Sequence, residues 1–246
     1  FQVQTLDGNH WYDVNVDAVN GNVLTRFDWV SDATFRVFPR PVESPNHGGR
    51  ALLTNPDDPG PSPSGWVSST STQGNNVRAY EDRNSTNNGT PVNCGSSVNC
   101  DFSLNLGLAP SQYIPAAVTN LFYWNNTIHD VQYNFGFDEQ AGNFQESNFG
   151  RGGSGSDSVN AEAQDGSGTN NANFATPPDG SNPRMQMFIW TAPNPDKDGD
   201  LDNGIIIHEY GHGISIRQVG GPSNSSCLNN NQQPGEGWSD WFALAY

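Results

Sequence analysis

The segment HEYGH at positions 208–212 constrains the fold of this chain more than any other feature. Residues four apart share one face of an α-helix, so both imidazoles can reach one metal ion only if this segment is helical. Glu209 then lies about 100° around the helix axis from the first histidine, beside the metal rather than opposite it. Apolar residues at Ile205–Ile207, Ile214 and Ile216 support this helix. The alternative is a pair of ordinary core or surface histidines.

A third metal ligand is expected on a later helix, because a catalytic zinc usually has three protein ligands and one open position. A third histidine six residues after His212 is excluded, since Gln218 stands there. Glu236, in GEGWSDWF, is the candidate instead. Asp240, four residues later, projects from the same helix face and is placed to orient a metal-bound imidazole. The alternative for Glu236 is an exposed carboxylate that the dipole at a helix start favours.

The remaining sequence predicts an α+β fold. Residues 1–30 alternate in the manner of strands, with a hairpin signal at Asn20-Gly21. From Val37 to Pro110, frequent Pro, Gly, Asn and Ser, broken by short runs such as GWVSS and DFSLNL, predict strands and long loops. The later predicted elements are a helix with one buried stripe from Ile114 to about Val131, strands at NNANF and RMQMFIW, the HEYGH helix ending before Gly220-Gly221, and a helix from Pro234 past Phe242.

The acidic composition and the cysteines limit the class of protein. Ten basic against 26 acidic residues give a formal net charge of -16, which repels a phosphate backbone and argues against a nucleic-acid partner. No stretch approaches the roughly 20 apolar residues that span a bilayer. Cys94 and Cys100 bracket a short loop that a disulfide could close, and Cys227 is left over, free or paired beyond this chain. These features favour an extracytoplasmic protein.

An acidic run precedes the HEYGH helix. Asp196, Asp198, Asp200 and Asp202 alternate with other residues, and hard oxygen ligands at this spacing suggest a calcium loop. The match is partial, because the usual calcium pattern has Gly where Leu201 stands. The alternative is that these carboxylates simply favour the positive end of the helix dipole.

GIIIHEYGHGIS followed by GEGWSDW resembles the fungalysin family (peptidase family M36), whose active site is similar to that of thermolysin. LFYWNNTIHDVQYNFGF, AGNFQESNFGRGG, AQDGSGTNNANFATPPDG and PRMQMFIW resemble it as well, so the likeness covers nearly the whole chain. The resemblance implies a secreted zinc endopeptidase that cleaves internal peptide bonds of protein substrates. His208, His212 and Glu236 then match the ligands of one zinc ion, and Glu209 matches the general base and acid that acts on a zinc-activated water.

The same resemblance implies a role for NNANF in substrate binding. Asn171, Ala172 and Asn173 match an edge strand that would pair its backbone with an extended substrate. An ordinary edge strand is the alternative.

The resemblance also predicts how the chain divides. Residues 1–32 match the end of a propeptide, a PepSY-like hairpin that acts as the enzyme's own inhibitor and chaperone, with a mature start near Asp32–Phe35. Residues 33–246 match the N-terminal part of the catalytic region, with a thermolysin-like zinc helix but without the family's C-terminal helical domain. Thermolysin-like enzymes use a downstream histidine to stabilise the oxyanion, and also a tyrosine between the second histidine and the third ligand. In this sequence no histidine follows His212, and no tyrosine lies between it and Glu236. This departure concerns transition-state stabilisation and not the metal site.

Three other functions remain open at this point. One alternative is that the chain alone is an inactive fragment, since part of the cleft would be missing. A non-catalytic secreted module with a structural zinc would need four protein ligands, and only three good ones are visible. An aminopeptidase would need a group that holds the free amino terminus of its substrate, and the sequence shows no such signature.

Overall fold

The computed structural model describes residues 1–6, 11–28, 32–229, 231–232 and 234–246. In chain order the strands are β1 (Gln2–Gln4), β2 (Trp11–Val16), β3 (Val23–Asp28), β4 (Thr34–Val37), β5 (Ala51–Thr54), β6 (Val77–Glu81), β7 (Asn99–Cys100), β8 (Val159–Ala163), β9 (Ala172–Ala175), β10 (Arg184–Met187), β11 (Ile189–Trp190) and β12 (Lys197–Asp198). The α-helices are α1 (Ile114–Tyr133), α2 (Asn203–Gln218) and α3 (Pro234–Ala245). The fold is α+β with a β-rich N-terminal part, as predicted, and none of the described helices is long and apolar enough to cross a membrane.

The first three strands form a small antiparallel sheet in the order β1-β2-β3. The hairpin predicted at Asn20-Gly21 is present between β2 and β3, because Gly21 has a φ of 76° and the Asp17 amide donates to the Asn22 carbonyl at 2.8 Å. Among residues 1–6 and 11–26, every side chain is exposed or half-buried. Residues 7–10 and 29–31, which belong to the predicted propeptide end, lie outside the described residues.

The central sheet has the order β6-β8-β10-β9. β6, β8 and β10 are mutually parallel, and β9 is antiparallel to β10 at the edge. The strand predicted for NNANF is confirmed as β9, whereas RMQMFIW divides into β10 and β11 because Phe188 turns into the core between them. The carboxyl ends of parallel strands lie on the same side of a sheet, so the loops that follow β6 and β8 meet at that side.

A second sheet, β5-β4-β7, carries the disulfide between Cys94 and Cys100, which confirms the predicted pairing. Cys227 is a free, exposed cysteine. The runs GWVSS and DFSLNL, given as examples of strands, are not strands. Trp66, within the first run, is instead buried in the core with its indole N–H donating to Asp130 at 2.7 Å. Trp66 thus belongs to a loop that is held against the core by its buried side chain, and not to a strand.

The three predicted α-helices are confirmed, but α1 differs from the expected helix with a single buried stripe. It packs against β4, β6 and β8 on one side and α2 on the other, and most of its circumference is buried. Asn120 shows how polar residues are accommodated inside, since its amide donates to the Asp200 carbonyl and to the Asn203 side chain, both at 2.8 Å. Buried amides of this kind hide the helical period of a central helix from sequence reasoning.

Candidate metal centre between the second and third helices

The HEYGH segment lies in the middle of α2, whose ends are clearly marked. The Asp202 carboxylate accepts a hydrogen bond from the Ile205 amide and caps the first turn. After the last turn, Gly220 and Gly221 have φ values of 92° and 85°, in the left-handed region that stops a helix. Within this helix the His208 and His212 rings lie on one face, with centroids 4.8 Å apart. The sequence prediction of a shared face is therefore confirmed.

Glycine at position 211 allows α3 to approach this face closely. A Cβ at Gly211 would lie 2.9 Å from the Ser239 hydroxyl oxygen, 3.0 Å from the Ser239 Cα and 3.1 Å from Phe242. These contacts are tighter than most real Cβ contacts, so a side chain at this position requires the Ser239 hydroxyl to turn and α3 to give by a few tenths of an ångström. Close contact of α2 and α3 in turn brings Glu236, in the first turn of α3, opposite the two histidines.

Three side-chain atoms converge where the two helices meet. His208 Nε2 lies 3.1 Å from His212 Nε2 and 3.2 Å from Glu236 Oε2, and His212 Nε2 lies 3.4 Å from the same carboxylate oxygen. Three corners of a tetrahedron with metal–ligand bonds of about 2.0–2.1 Å are about 3.3 Å apart. Two imidazole nitrogens and one carboxylate oxygen are also donors that zinc accepts. Spacing and donor chemistry both fit a zinc ion.

Asp240 fixes the orientation of one candidate ligand. Its Oδ1 lies 2.8 Å from His208 Nδ1. A carboxylate can only accept, so Nδ1 carries the proton and donates to Asp240, which leaves the lone pair of Nε2 free to bind a metal. The structure thus brings together all the residues that the sequence suggested for the metal centre and its support: His208, His212, Glu236 and Asp240.

Glu209 is buried beside this centre, with 6% of its surface exposed. Burial, and then the negative charge of Glu236, raise the pKa of the Glu209 carboxyl to about 8 in the absence of a metal. Burial lowers the pKa of His212, although Glu236 acts in the opposite direction. A neutral imidazole is the form that binds a metal. A cation between the ligands would favour the ionised form of Glu209.

A cleft of about 240 Å³ opens on the centre and is lined by His212, Ser215, Leu228 and Glu236 among others. The larger cavity of the described residues, about 650 Å³, lies at the N-terminal end of α2 around Tyr113, and it contains none of the converging ligands. Size alone therefore does not locate the chemistry. The position of the site follows from the donor atoms.

The edge strand β9 runs next to α2, the helix that carries His208 and His212. Its Phe174 packs against Tyr210 of α2, with ring centroids 6.0 Å apart. Asn171, directly before the strand, and Asn173 within it are exposed, whereas Ala172 is buried against the core. β9 pairs on one side with β10 and lies at the end of its sheet. The edge position expected of NNANF is confirmed, and pairing with a substrate stays a prediction.

The aspartates of the acidic run have separate positions. Asp196 is exposed, Asp202 caps α2, and Asp198 and Asp200 are buried, where burial raises the pKa of both carboxyls. Asp198 accepts hydrogen bonds from the Asp200 amide and from the side chain of Gln164. Among the described residues, this run does not provide three carboxylates within 4.8 Å of one another. Calcium at this run stays a prediction that the arrangement does not strengthen.

A helix with two histidines four residues apart and a glutamate from a second helix is an arrangement that holds a catalytic metal in metallopeptidases. The sequence profile of the fungalysin metallopeptidase family (M36) matches residues 34–246, and the chain belongs to this family. Extracellular metalloproteinase 1 of Arthroderma gypseum is 45% identical over 257 residues, which cover 100% of this chain and 40% of the relative. Extracellular metalloproteinase MEP of Pyricularia oryzae is 45% identical over 259 residues, covering 100% of the chain and 41% of the relative. The chain spans about two fifths of the length of these relatives.

Sequence reasoning missed the contacts that hold the metal helix in place. Arg217 is fully buried on the last turn of α2 and donates to Asp157 at 3.0 Å, to Asp179 at 3.3 Å and to the Gly142 carbonyl at 3.0 Å. The only signal in the sequence was a lone basic residue in an otherwise apolar stretch. The role of Gly211 was equally hidden, because HEYGH does not reveal which residue of α3 faces it.

Proposed function

We propose that the protein containing this chain is a secreted zinc endopeptidase, with His208, His212 and Glu236 as the ligands of one zinc ion. The observation that carries this proposal is the convergence of two imidazole nitrogens and one carboxylate oxygen at separations of 3.1–3.4 Å. Membership of a metallopeptidase family supports it. The name "extracellular" borne by the relatives and the Cys94–Cys100 disulfide support secretion.

Bound zinc would polarise the scissile carbonyl and lower the pKa of a water molecule towards about 7. Glu209 lies next to the ligands and accepts a proton from the attacking water at its carboxylate. It then delivers this proton to the leaving amine, so one residue serves as base and acid. The buried setting of Glu209 favours both steps, because few competing waters reach its carboxylate. Asp240 holds the His208 ring and keeps its proton on Nδ1.

An extended peptide is the substrate form that suits the site. The free edge of β9, with Asn171, Ala172 and Asn173, offers backbone groups to which a substrate strand can add. Phe174 ties this edge to α2, so a peptide on β9 runs alongside the helix that bears Glu209. Backbone recognition of this kind tolerates many side chains, and protein substrates are accordingly expected.

Residues 1–32 are proposed to be the end of the propeptide, which inhibits and assists the folding of its own enzyme. The family match begins at residue 34, and the small sheet β1-β2-β3 contributes no buried side chain among residues 1–6 and 11–26. Residues 33–246 then form the N-terminal part of the catalytic region.

The ligand set is tested in the full-length secreted protein. Glu236→Ala is expected to abolish stoichiometric zinc and peptidase activity, because two histidines alone leave the metal with two protein ligands. Zinc is measured by mass spectrometry of the purified protein, and activity with a quenched fluorogenic peptide. Glu43→Gln, a change of an exposed carboxylate, is the control and should retain both. If Glu236→Ala keeps full zinc and activity, the third ligand is another residue.

A non-catalytic module with a structural zinc is the second candidate. Such a site is closed by four protein ligands. In the part of the chain that the structure describes, the group contains only His208, His212 and Glu236. A parent protein with stoichiometric zinc and no turnover of any peptide would favour this alternative over the endopeptidase.

A further inference from the structure

A second group of acidic side chains lies at the carboxyl ends of β6 and β8 in the central sheet, away from the α2–α3 interface. Asp82 follows β6, Glu162 lies in β8, and Asp165 is two residues beyond the end of β8. All three side chains are buried, and one carboxylate oxygen from each lies within 4.8 Å of the others. The parallel order of β6 and β8 explains the convergence, because both strands end at the same edge.

The surrounding contacts place each carboxylate firmly. Tyr80, the register partner of Glu162, donates its hydroxyl to Glu162 Oε1 at 2.8 Å. Asp165 receives hydrogen bonds from the Ser167 amide and from Gln186, both at 2.6 Å. The loop after β8 is drawn to the loop after β6 by the Gly166 amide, which donates to the Asp82 carbonyl at 3.0 Å.

Asp82 is held in the same way by its own loop. The amide and hydroxyl of Thr86 donate to Asp82 Oδ1 at 2.8 and 3.0 Å, and the Asn87 amide donates to Oδ2 at 2.8 Å. A carboxylate offers about four lone-pair positions, so the bonds described leave positions free on the group as a whole.

Glu162 Oε2 provides a separate observation that points to a ligand. This oxygen is fully buried and, as long as Glu162 and Asp165 are both ionised, no described residue donates a hydrogen bond to it. The nearest guanidinium nitrogen, Arg184 Nε, is 3.9 Å away, beyond hydrogen-bond distance. Arg83 does not fill the gap, because its guanidinium donates to Gln164. A buried, unpartnered carboxylate oxygen is costly and calls for a partner.

We propose that Asp82, Glu162 and Asp165 bind one calcium ion. The donors are all oxygens, which excludes the nitrogen and sulfur chemistry of a zinc site and suits a hard cation. Two oxygens bound to one calcium can be about 5 Å apart at most, since each bond is about 2.3–2.6 Å long, and the separations here fall within that span. Among the described residues, the only ion pair of these three carboxylates is the long one between Glu162 and Arg184, so a divalent cation supplies the missing positive charge.

A proton on Glu162 is the competing way to neutralise the group. Burial raises the pKa of this carboxyl to about 7 against the effect of the Tyr80 hydrogen bond, and a hydrogen bond with Asp165 acts in the same direction as burial, so the proton would lie between Glu162 and Asp165. The two possibilities differ in what glutamine does at this position. Glu162→Gln mimics the protonated carboxyl and would be harmless if a proton were the partner, but it removes a charged ligand if calcium is the partner.

The experiment uses the full-length protein with Glu209→Gln as the parent, so that self-digestion does not disturb it. Calcium and zinc contents are measured by mass spectrometry after passage through a calcium-free column at fixed zinc. Thermal unfolding is then followed as calcium chloride is added at pH 7. Calcium at about 100 times its Kd is expected to raise the unfolding midpoint of the parent by roughly 5 °C or more.

Glu162→Gln is expected to bind one calcium ion fewer than the parent, at unchanged zinc, and to lose this rise of the midpoint. Glu43→Gln, the same change at an exposed carboxylate outside both acidic groups, is the matched control and should keep the response. Unchanged calcium content in Glu162→Gln overturns the proposal, as does a parent without bound calcium or calcium response. If Glu162→Gln does not fold, Asp82→Asn replaces it with the same expectation, and a parent without bound calcium overturns the proposal in either case.

Discussion

His208 and Glu209 are neighbours in sequence but differ in the partners of their side chains. His208 is held by Asp240 on one ring nitrogen and faces His212 and Glu236 with the other. Glu209 has no such ties and is buried beside the group. A ligand must be fixed, whereas a group that moves protons must reach two positions in turn. The two residues therefore respond differently to conservative substitution.

Glu209→Gln is expected to retain zinc and to lower kcat by about 100-fold to 10,000-fold or more. The reason is that the amide cannot accept and return a proton. The zinc content is measured by mass spectrometry and kcat with a quenched peptide in the full-length protein. Glu43→Gln serves as the control of equal chemistry on an exposed side chain. Turnover like that of the parent in the Glu209 variant would exclude this residue as the base.

Asp240→Asn is expected to weaken zinc binding by about 10-fold to 100-fold, the usual effect of losing a carboxylate that orients a histidine ligand. The amide oxygen can still accept from His208 Nδ1, but without the negative charge that makes Nε2 a better donor. Competition with a chromogenic zinc chelator gives the affinity. An unchanged zinc affinity in Asp240→Asn, with folding intact by circular dichroism, would contradict the orienting role.

At the scale of elements, the metal centre depends on how closely α3 approaches α2. The sequence predicted α2, with its end before Gly220-Gly221, and separately α3 from Pro234 onward. The distance between the two helices could not be predicted, because it depends on the contact of Gly211 with Ser239, two residues that are far apart in sequence. The local pattern of a helix contains no information on which residue of a distant helix will face it.

Gly211→Ala tests this contact. The added methyl group meets Ser239 and Phe242 at 2.9–3.1 Å, so the Ser239 hydroxyl turns and α3 gives by a few tenths of an ångström, which moves Glu236 relative to the histidines. We expect zinc affinity to fall by about 10-fold or more and stability to fall by about 1–3 kcal/mol, as in an overpacked core. Both are measured by chelator competition and by urea unfolding.

Gly237→Ala is the matched control for this substitution, because a Cβ there has nothing within 4 Å. Alanine favours the helix over glycine, so this variant should keep its zinc affinity and be slightly more stable, by up to about 1 kcal/mol. Equal zinc affinities of Gly211→Ala and Gly237→Ala would show that the close contact of the two helices does not set the ligand geometry.

For the molecule as a whole, sequence patterns predicted the individual helices, strands and turns, but not the contacts between residues that the sheet brings together from distant parts of the chain. The α+β class, the three helices, the hairpin at Asn20-Gly21 and the edge strand NNANF all follow from short-range signals. The meeting of Asp82 with Glu162 and Asp165 depends on the parallel register of β6 and β8, across some 80 residues of chain. A run of alternating aspartates attracted attention in the sequence, but the buried carboxylates that converge come from separate strand ends.

The proposed division of the chain near residue 32 concerns the whole molecule. The sheet β1-β2-β3 pairs within itself, and none of residues 1–6 and 11–26 is buried. From β4 onward the chain enters the core, where Phe35 and Val37 are 1% and 0% exposed. Cleavage just before β4 therefore removes no buried side chain among residues 1–6 and 11–26 and leaves Phe35 and Val37 in the core.

N-terminal sequencing of the secreted, active protein is expected to give a start between residues 32 and 35. A recombinant form that begins at Asp32 should unfold within a few degrees of the processed protein, because residues 1–6 and 11–26 contribute no buried side chain. A form that begins at Phe38 is the control, since it lacks β4 and with it Phe35 and Val37. Losing two buried apolar side chains of this size should lower the free energy of unfolding by several kcal/mol, at about 1.5–3 kcal/mol each. An active protein that still carries β2 and β3 would show that this sheet is part of the mature enzyme.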